Sequence, residues 1–278
     1  MPKTCLLIID PQNDFCDLPP SWRGRDPLTG AEIAPALPVP GAHADLLRLA
    51  DFVRRRSAAL DQVVITLDSH QRWDIAHPGF WAGPDGASPA PFTPIAAAQV
   101  RAGEFLPRDA AALGRVLAYL DALEAAGRYT LMVWPVHCEV GSWGHGVHAA
   151  LRAACDDWEL RRHRATWHVF KGLNPWTEHY SALRAEVPDA DDAHTGLNRE
   201  LLRRLEGFER ILVAGEAGSH CVKSTVEHLV QHLPRPQDLT LLSDAMSPVT
   251  GFEGQQQAFF DAMRAAGLQI STTQTWDA

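Results

Sequence analysis

Cys221 stands where an apolar run meets an amphipathic run, in the stretch RILVAGEAGSHCVKSTVEHLVQHL. The run from Arg210 to Gly215 is short, apolar and closed by glycine, which predicts a buried strand. From Val222 onward the apolar residues recur at helical spacing. The cysteine is therefore predicted to lie at a helix N-terminus, where free backbone N–H groups and the helix dipole favour a thiolate and can stabilise an oxyanion. The simpler alternative is a small buried apolar cysteine.

Polar side chains of reactive types also close the other predicted strands. Because the carboxyl ends of parallel strands meet at one edge of a sheet, we expect these side chains to lie near Cys221. They are Asp10 in LLIIDPQNDFC, Asp68 and His70 in VVITLDSH, His137 in WPVHC, and Lys171 in ATWHVFK.

Asp10 and Lys171 have residue types that could activate the thiol. Asp10 could take the Cys221 proton as a general base and return it to a leaving amine. Lys171 could be a buried ammonium that holds the carboxylate and the thiolate as charged partners, so that the thiol is nucleophilic at neutral pH. The alternatives are that Asp10, which precedes Pro11, caps a turn, and that Lys171 is solvated.

Asp68, His70, His77 and His137 form a second candidate cluster. Asp68 and His70 are two residues apart, so in an extended chain their side chains point to the same side. One carboxylate with several imidazoles is a donor set that suits Zn²⁺, Mn²⁺ or Fe²⁺. The chain contains 13 histidines, most of which must have ordinary roles, so the spacing alone is a moderate signal.

Predicted strands and helices alternate along the chain, which indicates βαβ units and a parallel sheet covered by helices on both faces. We predict a single domain over residues 1–278, with an insertion or lid at about 82–128 that is rich in Ala, Pro and Gly before its helix. The segment from Leu18 to Pro40 is predicted to be a long loop. The predicted strands are Leu6–Asp10, Val63–Leu67, Thr130–Trp134, Trp167–Lys171, Ile211–Gly215, Leu239–Asp244 and Gln269–Thr273, and the predicted helices lie near 43–58, 109–125, 146–163, 198–205, 222–232 and 253–265.

Composition narrows the classes of function. The formal net charge is −9 and no basic stripe is present, which argues against a nucleic-acid or membrane-surface partner. No stretch approaches the roughly 18 apolar residues of a spanning helix, and we expect that the first residues do not act as a signal peptide, because their apolar run is short and ends on an acid. Five cysteines without framework spacing indicate reduced thiols, so we expect a cytoplasmic protein.

Five separated motifs resemble, in this order, the nicotinamidase-like branch of the isochorismatase-like cysteine hydrolase family: LLIIDPQNDFC, LDSH…H, WPVHC, VFKG…YS and GEAGSHCVKSTV. The resemblance implies a three-layer αβα fold around a mainly parallel sheet. It assigns the catalytic triad to Asp10, Lys171 and Cys221. It assigns the metal ligands to Asp68, His70 and His137, with His77 as an additional ligand.

The resemblance also implies how a substrate would be held. Phe15 and Trp134 would sandwich its ring, and a cis peptide would join Glu216 to Ala217. The N–H groups of Ala217 and Cys221 would form the oxyanion hole. The implied function is a metal-assisted cysteine amidohydrolase, foremost a nicotinamidase of NAD salvage, with a small-molecule amide substrate and zinc as the first choice of metal. Members of the family often form oligomers, so a homo-oligomer is an open expectation.

Two departures from the family pattern leave the substrate open. About sixty residues separate His77 from His137, where compact members have far fewer, and Ser219 stands where many members carry an acid. The first alternative is therefore a related cysteine amidohydrolase that acts on another small amide or carbamoyl substrate. The second alternative, from another class, is a thiol redox switch that uses Cys221.

Overall fold

The computed structural model describes residues 2–277, and a six-stranded parallel sheet forms its centre. The strands of the chain are Thr4–Ile9 (β1), Gly24–Arg25 (β2), Glu32–Ile33 (β3), Gln62–Asp68 (β4), Trp81–Ala82 (β5), Thr93–Ile95 (β6), Leu106–Pro107 (β7), Leu131–Val133 (β8), Trp167–Lys171 (β9), Arg210–Gly215 (β10), Leu239–Leu242 (β11) and Gln269–Ser271 (β12). The central sheet has the order β12-β11-β10-β1-β4-β9, and every neighbouring pair is parallel. This order places β1 between β10 and β4, in the middle of the sheet.

Helices cover both faces of the sheet. They span Ala42–Arg56 (α1), Ala97–Arg101 (α2), Leu113–Ala126 (α3), Ala149–Arg162 (α4), Arg199–Leu205 (α5), Cys221–His232 (α6) and Glu253–Ala265 (α7). Alternate residues of a strand point to opposite faces, so Leu7 belongs to one apolar cluster with α5, α6 and α7, whereas Leu6 belongs to another with α1 and α4. The predicted three-layer αβα fold is confirmed.

The segment between β4 and α4 contains its own apolar cluster, built mainly by α3, α2 and β8. Here one prediction is wrong, because the strand expected over Thr130–Trp134 does not join the parallel sheet. It appears as β8, which pairs antiparallel with β6 inside this segment. Its apolar residues pack on α3, so local periodicity could not tell this small sheet from the main one. The lid role of residues 82–128 stays a prediction.

The long loop predicted from Leu18 to Pro40 contains only a 3₁₀ turn and the short antiparallel pair β2–β3. Its end is tied to the sheet edge, since Val39 N–H donates to the Phe15 carbonyl at 3.0 Å. Within residues 2–277, none of the helices is long and apolar enough to cross a membrane.

Candidate active site

Four neighbouring strands bring the predicted reactive residues to one edge of the sheet. Asp10 follows β1, Asp68 ends β4, Lys171 ends β9, and Cys221 begins α6 after β10. The register sets Asp68 directly beside Lys171. Since the order β10-β1-β4-β9 makes these strands adjacent, side chains far apart in sequence meet above the same carboxyl ends.

Lys171 is the centre of this cluster. Its Nζ lies 2.9 Å from Asp10 Oδ2 and 2.8 Å from Asp68 Oδ1, and it donates to the His179 carbonyl oxygen at 2.9 Å. Cys221 Sγ lies 3.6 Å from the same Nζ. The lysine is buried, so its ammonium is held by these partners rather than by solvent.

Asp10 is held in place by a residue that the sequence analysis did not single out. The Thr66 hydroxyl donates to Asp10 Oδ1 at 2.6 Å and accepts from the Asp10 N–H at 3.0 Å. The backbone at Asp10 has a positive φ of 42°, which is uncommon for a residue other than glycine. This leaves Oδ2 of Asp10 facing the lysine, on the side of the cysteine.

The turn before Cys221 supplies backbone donors. The peptide between Glu216 and Ala217 is cis, as the family resemblance implies. Gly215 has φ 115°, and a Cβ there would lie 2.0 Å from the Ile9 carbonyl oxygen, so the turn requires glycine. Among residues 2–277, neither the Ala217 N–H nor the Cys221 N–H donates to a protein acceptor, so both are free to bind an oxyanion.

Burial changes the protonation state expected for the Cys221 thiol. It raises the pKa of Cys221 well above its ordinary value; Lys171 opposes that shift, and the carboxylates of Asp10 and Asp68 reinforce it. Burial also raises the pKa of Asp10, against the effect of Lys171. Burial would lower the pKa of Lys171, but Asp10 and Asp68 hold it well above its ordinary value. The thiol therefore keeps its proton at neutral pH, contrary to the thiolate expected from the helix N-terminus, and a base must take that proton during attack.

The predicted metal ligands separate into a group of three and one neighbour. Ligand atoms of Asp68, His70 and His137 all lie within 4.8 Å of one another. Asp68 Oδ2 lies 3.1 Å from His70 Nε2 and 3.4 Å from His137 Nε2. His77 lies beside them, but its Nδ1 is 3.0 Å from the Gln71 carbonyl oxygen and its Nε2 faces His137 Nδ1 at 3.4 Å. Its role as a ligand stays a prediction.

The three-residue group fits a divalent metal. Burial would raise the pKa of Asp68, but His70 and Lys171 hold it well below its ordinary value, so this ligand is ionised. An ionised carboxylate oxygen with two imidazole nitrogens is a set found in zinc sites with open positions. His137 reaches the group although β8 lies outside the main sheet, because the following segment pairs with His70: the His70 N–H donates to the Cys138 carbonyl at 3.0 Å.

Asp74 is a supporting residue that the sequence analysis missed. Its Oδ2 lies 3.0 Å from His70 Nδ1, and its Oδ1 accepts from the Ala76 N–H at 2.9 Å. A carboxylate on the outer nitrogen of a ligating histidine fixes its tautomer and orientation. Asp74 lies four residues after His70 in the sequence. This spacing alone does not predict the contact, because it depends on the turn that places Asp74 beside His70.

We expect the Asp74→Asn variant to bind Zn²⁺ about 10- to 100-fold more weakly, because removing such an outer partner typically costs that much metal affinity. The asparagine keeps an oxygen for the Ala76 N–H but loses the carboxylate that faces His70. Competition with a metallochromic chelator measures the change. Asp45→Asn is the matched control, since that buried acid pairs with Arg48 and Ser247 instead. Equal affinities of wild type and Asp74→Asn would contradict the assignment.

The two aromatic residues predicted to hold a ring both line the pocket above Cys221. This pocket has a volume of about 30 Å³. The Phe15 ring lies 5.5 Å from that of His137, and Trp134 Nε1 donates to the Tyr180 hydroxyl at 3.2 Å. A larger cavity of about 430 Å³ adjoins the pocket, because Trp134, Tyr180 and His220 form walls of both. Tyr180 and His220 stand within two of the motifs that carry the family resemblance, but neither was assigned a role from the sequence.

Comparisons with known proteins show relatives that match this chain over nearly its whole length. No protein-family model matches the chain. The nicotinamidase of Escherichia coli (strain K12) is 26% identical over 282 residues, covering 100% of this chain and 98% of that protein. The yeast nicotinamidase Pnc1p, bound to the inhibitor nicotinaldehyde, has a TM-score of 0.63 and 18% identity, covering 97% of this chain and 99% of that one. The chain is therefore similar over its whole length to a nicotinamidase, and it shares the fold of nicotinamidases and of an isochorismatase-like hydrolase.

Other structures with the same fold also match nearly the whole length of this chain. The isochorismatase-like hydrolase from Alkaliphilus metalliredigens has a TM-score of 0.50 and 14% identity, covering 98% of this chain and 95% of that one. The pyrazinamidase of Pyrococcus horikoshii, in complex with zinc, has a TM-score of 0.55 and 18% identity, covering 98% and 99% of the two chains.

Proposed function

We propose that this chain is a metal-assisted cysteine amidohydrolase whose foremost substrate is nicotinamide, which it converts with water to nicotinate and ammonia. One observation carries the proposal: the Lys171 ammonium contacts Asp10, Asp68 and Cys221 at once, so the nucleophile, its base and the candidate metal group share one buried cluster. The nicotinamidase relative in Escherichia coli, aligned over its full length, supports the choice of substrate.

The first half of the proposed reaction makes an acyl-enzyme. Asp10 accepts the thiol proton of Cys221 as Sγ bonds to the amide carbonyl carbon. The N–H groups of Ala217 and Cys221 hold the oxyanion that forms. The carbon–nitrogen bond then breaks, and ammonia leaves with the proton that Asp10 returns, which leaves a thioester on Cys221. Lys171 keeps its charge throughout and balances the carboxylates around it.

The second half reverses these roles with water. Asp10 takes a proton from a water molecule, whose oxygen bonds to the thioester carbon, and the same N–H groups hold the second oxyanion. The carbon–sulfur bond breaks, and the proton on Asp10 passes to Sγ to restore the thiol. The carboxylic acid product then leaves, and the chain is ready for another amide.

Asp68, His70 and His137 would hold the metal, with His77 as a proposed additional ligand. Zinc is proposed first and Mn²⁺ or Fe²⁺ are alternatives; the pyrazinamidase of Pyrococcus horikoshii was solved with zinc. When bound, the metal would supply a Lewis acid that orients and polarises a pyridine amide through its ring nitrogen. Phe15 and Trp134 are proposed to pack against the two faces of that ring.

We expect purified protein to release ammonia from nicotinamide, to lose this activity on chelation, and to regain it when Zn²⁺, Mn²⁺ or Fe²⁺ is added back. A coupled ammonia assay measures the release, and a sample treated with chelator and then dialysed without metal is the control. Hydrolysis that is unchanged after complete metal removal would refute the metal-assisted reaction. If nicotinamide releases no ammonia either before chelation or with any of the three metals, nicotinamide is not the substrate.

A second candidate is a related cysteine amidohydrolase that acts on another small amide or carbamoyl compound. The cavity of about 430 Å³ that adjoins the catalytic pocket favours it, because the space could accept an acyl group larger than one ring. Ammonia release from a panel of larger carboxamides and carbamoyl compounds, under the same metal conditions, distinguishes this candidate from a nicotinamidase.

A further inference from the structure

The turn that carries the proposed oxyanion hole contains a buried acid that the proposed reaction does not use. Glu216 immediately precedes Ala217 and is fully buried. Its N–H donates to the Ile9 carbonyl oxygen at 2.8 Å, so its main chain is fixed to the end of β1. A carboxyl group is costly to bury, because it loses its hydration. The side chain must therefore be hydrogen bonded within the protein.

Glu216 bonds to Ser247, which holds the turn on both sides of Ala217. The Ser247 N–H donates to Glu216 Oε2 at 3.2 Å, and the Ser247 carbonyl oxygen accepts from the Gly218 N–H at 2.8 Å. These bonds are made by the residues directly before and after Ala217. The Ala217 N–H, which has no protein acceptor among residues 2–277, is therefore held in one direction.

Ser247 is in turn fixed to helix α1. Its hydroxyl donates to Asp45 Oδ2 at 2.5 Å, and Asp45 also pairs with Arg48. Asp45 is buried beside Glu216, and the two carboxyl groups hydrogen bond to each other. Two carboxyl groups this close cannot both be ionised, so one of them keeps its proton and donates it to the bond.

Glu216 is the acid that keeps the proton. Burial raises the pKa of Glu216 well above its ordinary value, and Asp45 and Asp17 raise it further, whereas the Ser247 N–H opposes the shift. Burial also raises the pKa of Asp45, but Ser247 and Arg48 lower it. Glu216 is therefore neutral at neutral pH, and a neutral side chain in this turn places no negative charge beside an oxyanion.

We propose that Glu216 is a positioning residue for the reaction, whose side chain, through its bond to Ser247, holds the Ala217 N–H in the direction that stabilises the oxyanion. The inference rests on the proposed amidohydrolase function and adds a residue on which its rate depends. Glu216 is not among the described residues that line the pocket above Cys221, so it acts through Ala217 and not on the substrate. A donor that is fixed before the reaction needs no reorganisation when the oxyanion forms.

The test compares two reactions of the Cys221 thiol, of which only one forms an oxyanion. Acetyl transfer from p-nitrophenyl acetate to the sulfur passes through a tetrahedral oxyanion and releases nitrophenolate, whereas iodoacetamide alkylates the same sulfur by displacing iodide. Asp10 can accept the thiol proton in both reactions. We expect Glu216→Met to slow acetylation about 100-fold, as the loss of one oxyanion-hole donor does, while alkylation changes only a few-fold. The rates that remain in Cys221→Ala are subtracted.

Two further variants separate the position of the side chain from its volume. Glu216→Gln keeps an oxygen for the Ser247 N–H and an N–H donor for Asp45, so it should restore acetylation to within a few-fold of wild type. Glu216→Asp draws the carboxyl group back by one methylene and should slow acetylation about 10-fold, which provides the test if Glu216→Met does not fold. Glu186→Met is the matched control: this buried side chain lies 3.4 Å from Arg128, away from the turn, and its loss should leave both rates within a few-fold.

Equal slowing of acetylation and alkylation in Glu216→Met overturns the proposal, as does unchanged acetylation. Wild type that is acetylated no faster than Cys221→Ala, or a Glu216→Gln variant as slow as Glu216→Met, also overturns it. With nicotinamide, Glu216→Met should lower kcat about 100-fold and leave KM within a few-fold.

The two thiol reactions do not require an amide substrate, so they separate this proposal from the proposed function. Selective loss of acetylation in Glu216→Met supports the positioning role even if wild type releases no ammonia from nicotinamide. Ammonia release from nicotinamide by wild type, together with equal slowing of both thiol reactions in Glu216→Met, supports the proposed function and overturns the positioning role.

Discussion

Replacing Cys221 with alanine is expected to lower kcat for amide hydrolysis by at least about 10⁴-fold, because the variant lacks the sulfur that forms the thioester. The fold should survive, since the side chain contributes one small buried sulfur at the start of α6. Ammonia release measures the loss. Mass spectrometry of acid-quenched wild type should detect the acyl group on the peptide that contains Cys221.

Cys155→Ala is the matched control for this variant. Cys155 is equally small and buried, but it lies on α4 within the apolar cluster of the opposite face of the sheet. Its replacement should leave turnover within a few-fold of wild type. Comparable rates for Cys221→Ala and wild type would remove the cysteine from the reaction and leave the redox-switch alternative to be tested by thiol titration with peroxide.

Replacing Lys171 with methionine is expected to destabilise the protein by about 3–5 kcal/mol, because it leaves two buried carboxylates without their cation. Lys171 Nζ contacts Asp10 at 2.9 Å and Asp68 at 2.8 Å, and methionine fills a similar volume without charge. Urea denaturation at neutral pH measures the free energy of unfolding. Lys223→Met is the control, since that lysine pairs with Glu227 on a helix surface and should cost less than about 1 kcal/mol.

The cost of Lys171→Met should depend on pH with a definite sign. In wild type the pKa of Asp68 is held below its ordinary value, so its stabilising effect is present above the unfolded pKa and is lost as pH falls through the folded one. In the variant the pKa values of Asp10 and Asp68 should rise, which penalises the fold increasingly as pH rises. The difference in unfolding free energy between wild type and variant should therefore narrow as pH falls toward about 4. A difference that is constant from neutral pH to pH 4 would show that packing, not charge, is what the lysine supplies.

Residue spacing predicted the position of Cys221 correctly but not the pKa of its thiol. The position of Cys221 at a helix N-terminus could be predicted from residue spacing, and the structure begins α6 at that residue. Burial of the sulfur among Asp10, Asp68 and Lys171 could not be predicted from the same spacing. Desolvation is set by everything that packs around a group, and here it raises the pKa of the thiol.

The sequence by itself determined the parallel fold and the residues at the carboxyl ends of its strands. Apolar runs that alternate with helical periodicity are local patterns, so the order of residues alone was enough to assign Asp10, Asp68 and Lys171 to strand ends. The resemblance of five ordered motifs supplied their roles, and the roles remain proposals that the variants test.

Only the tertiary structure decided which strands are neighbours and which side chains hydrogen bond to the candidate catalytic and metal-binding residues. Strand order depends on long-range pairing, so the sequence could not show that β8 lies outside the main sheet. For the same reason it could not show that Asp74 contacts His70 or that Thr66 donates to Asp10.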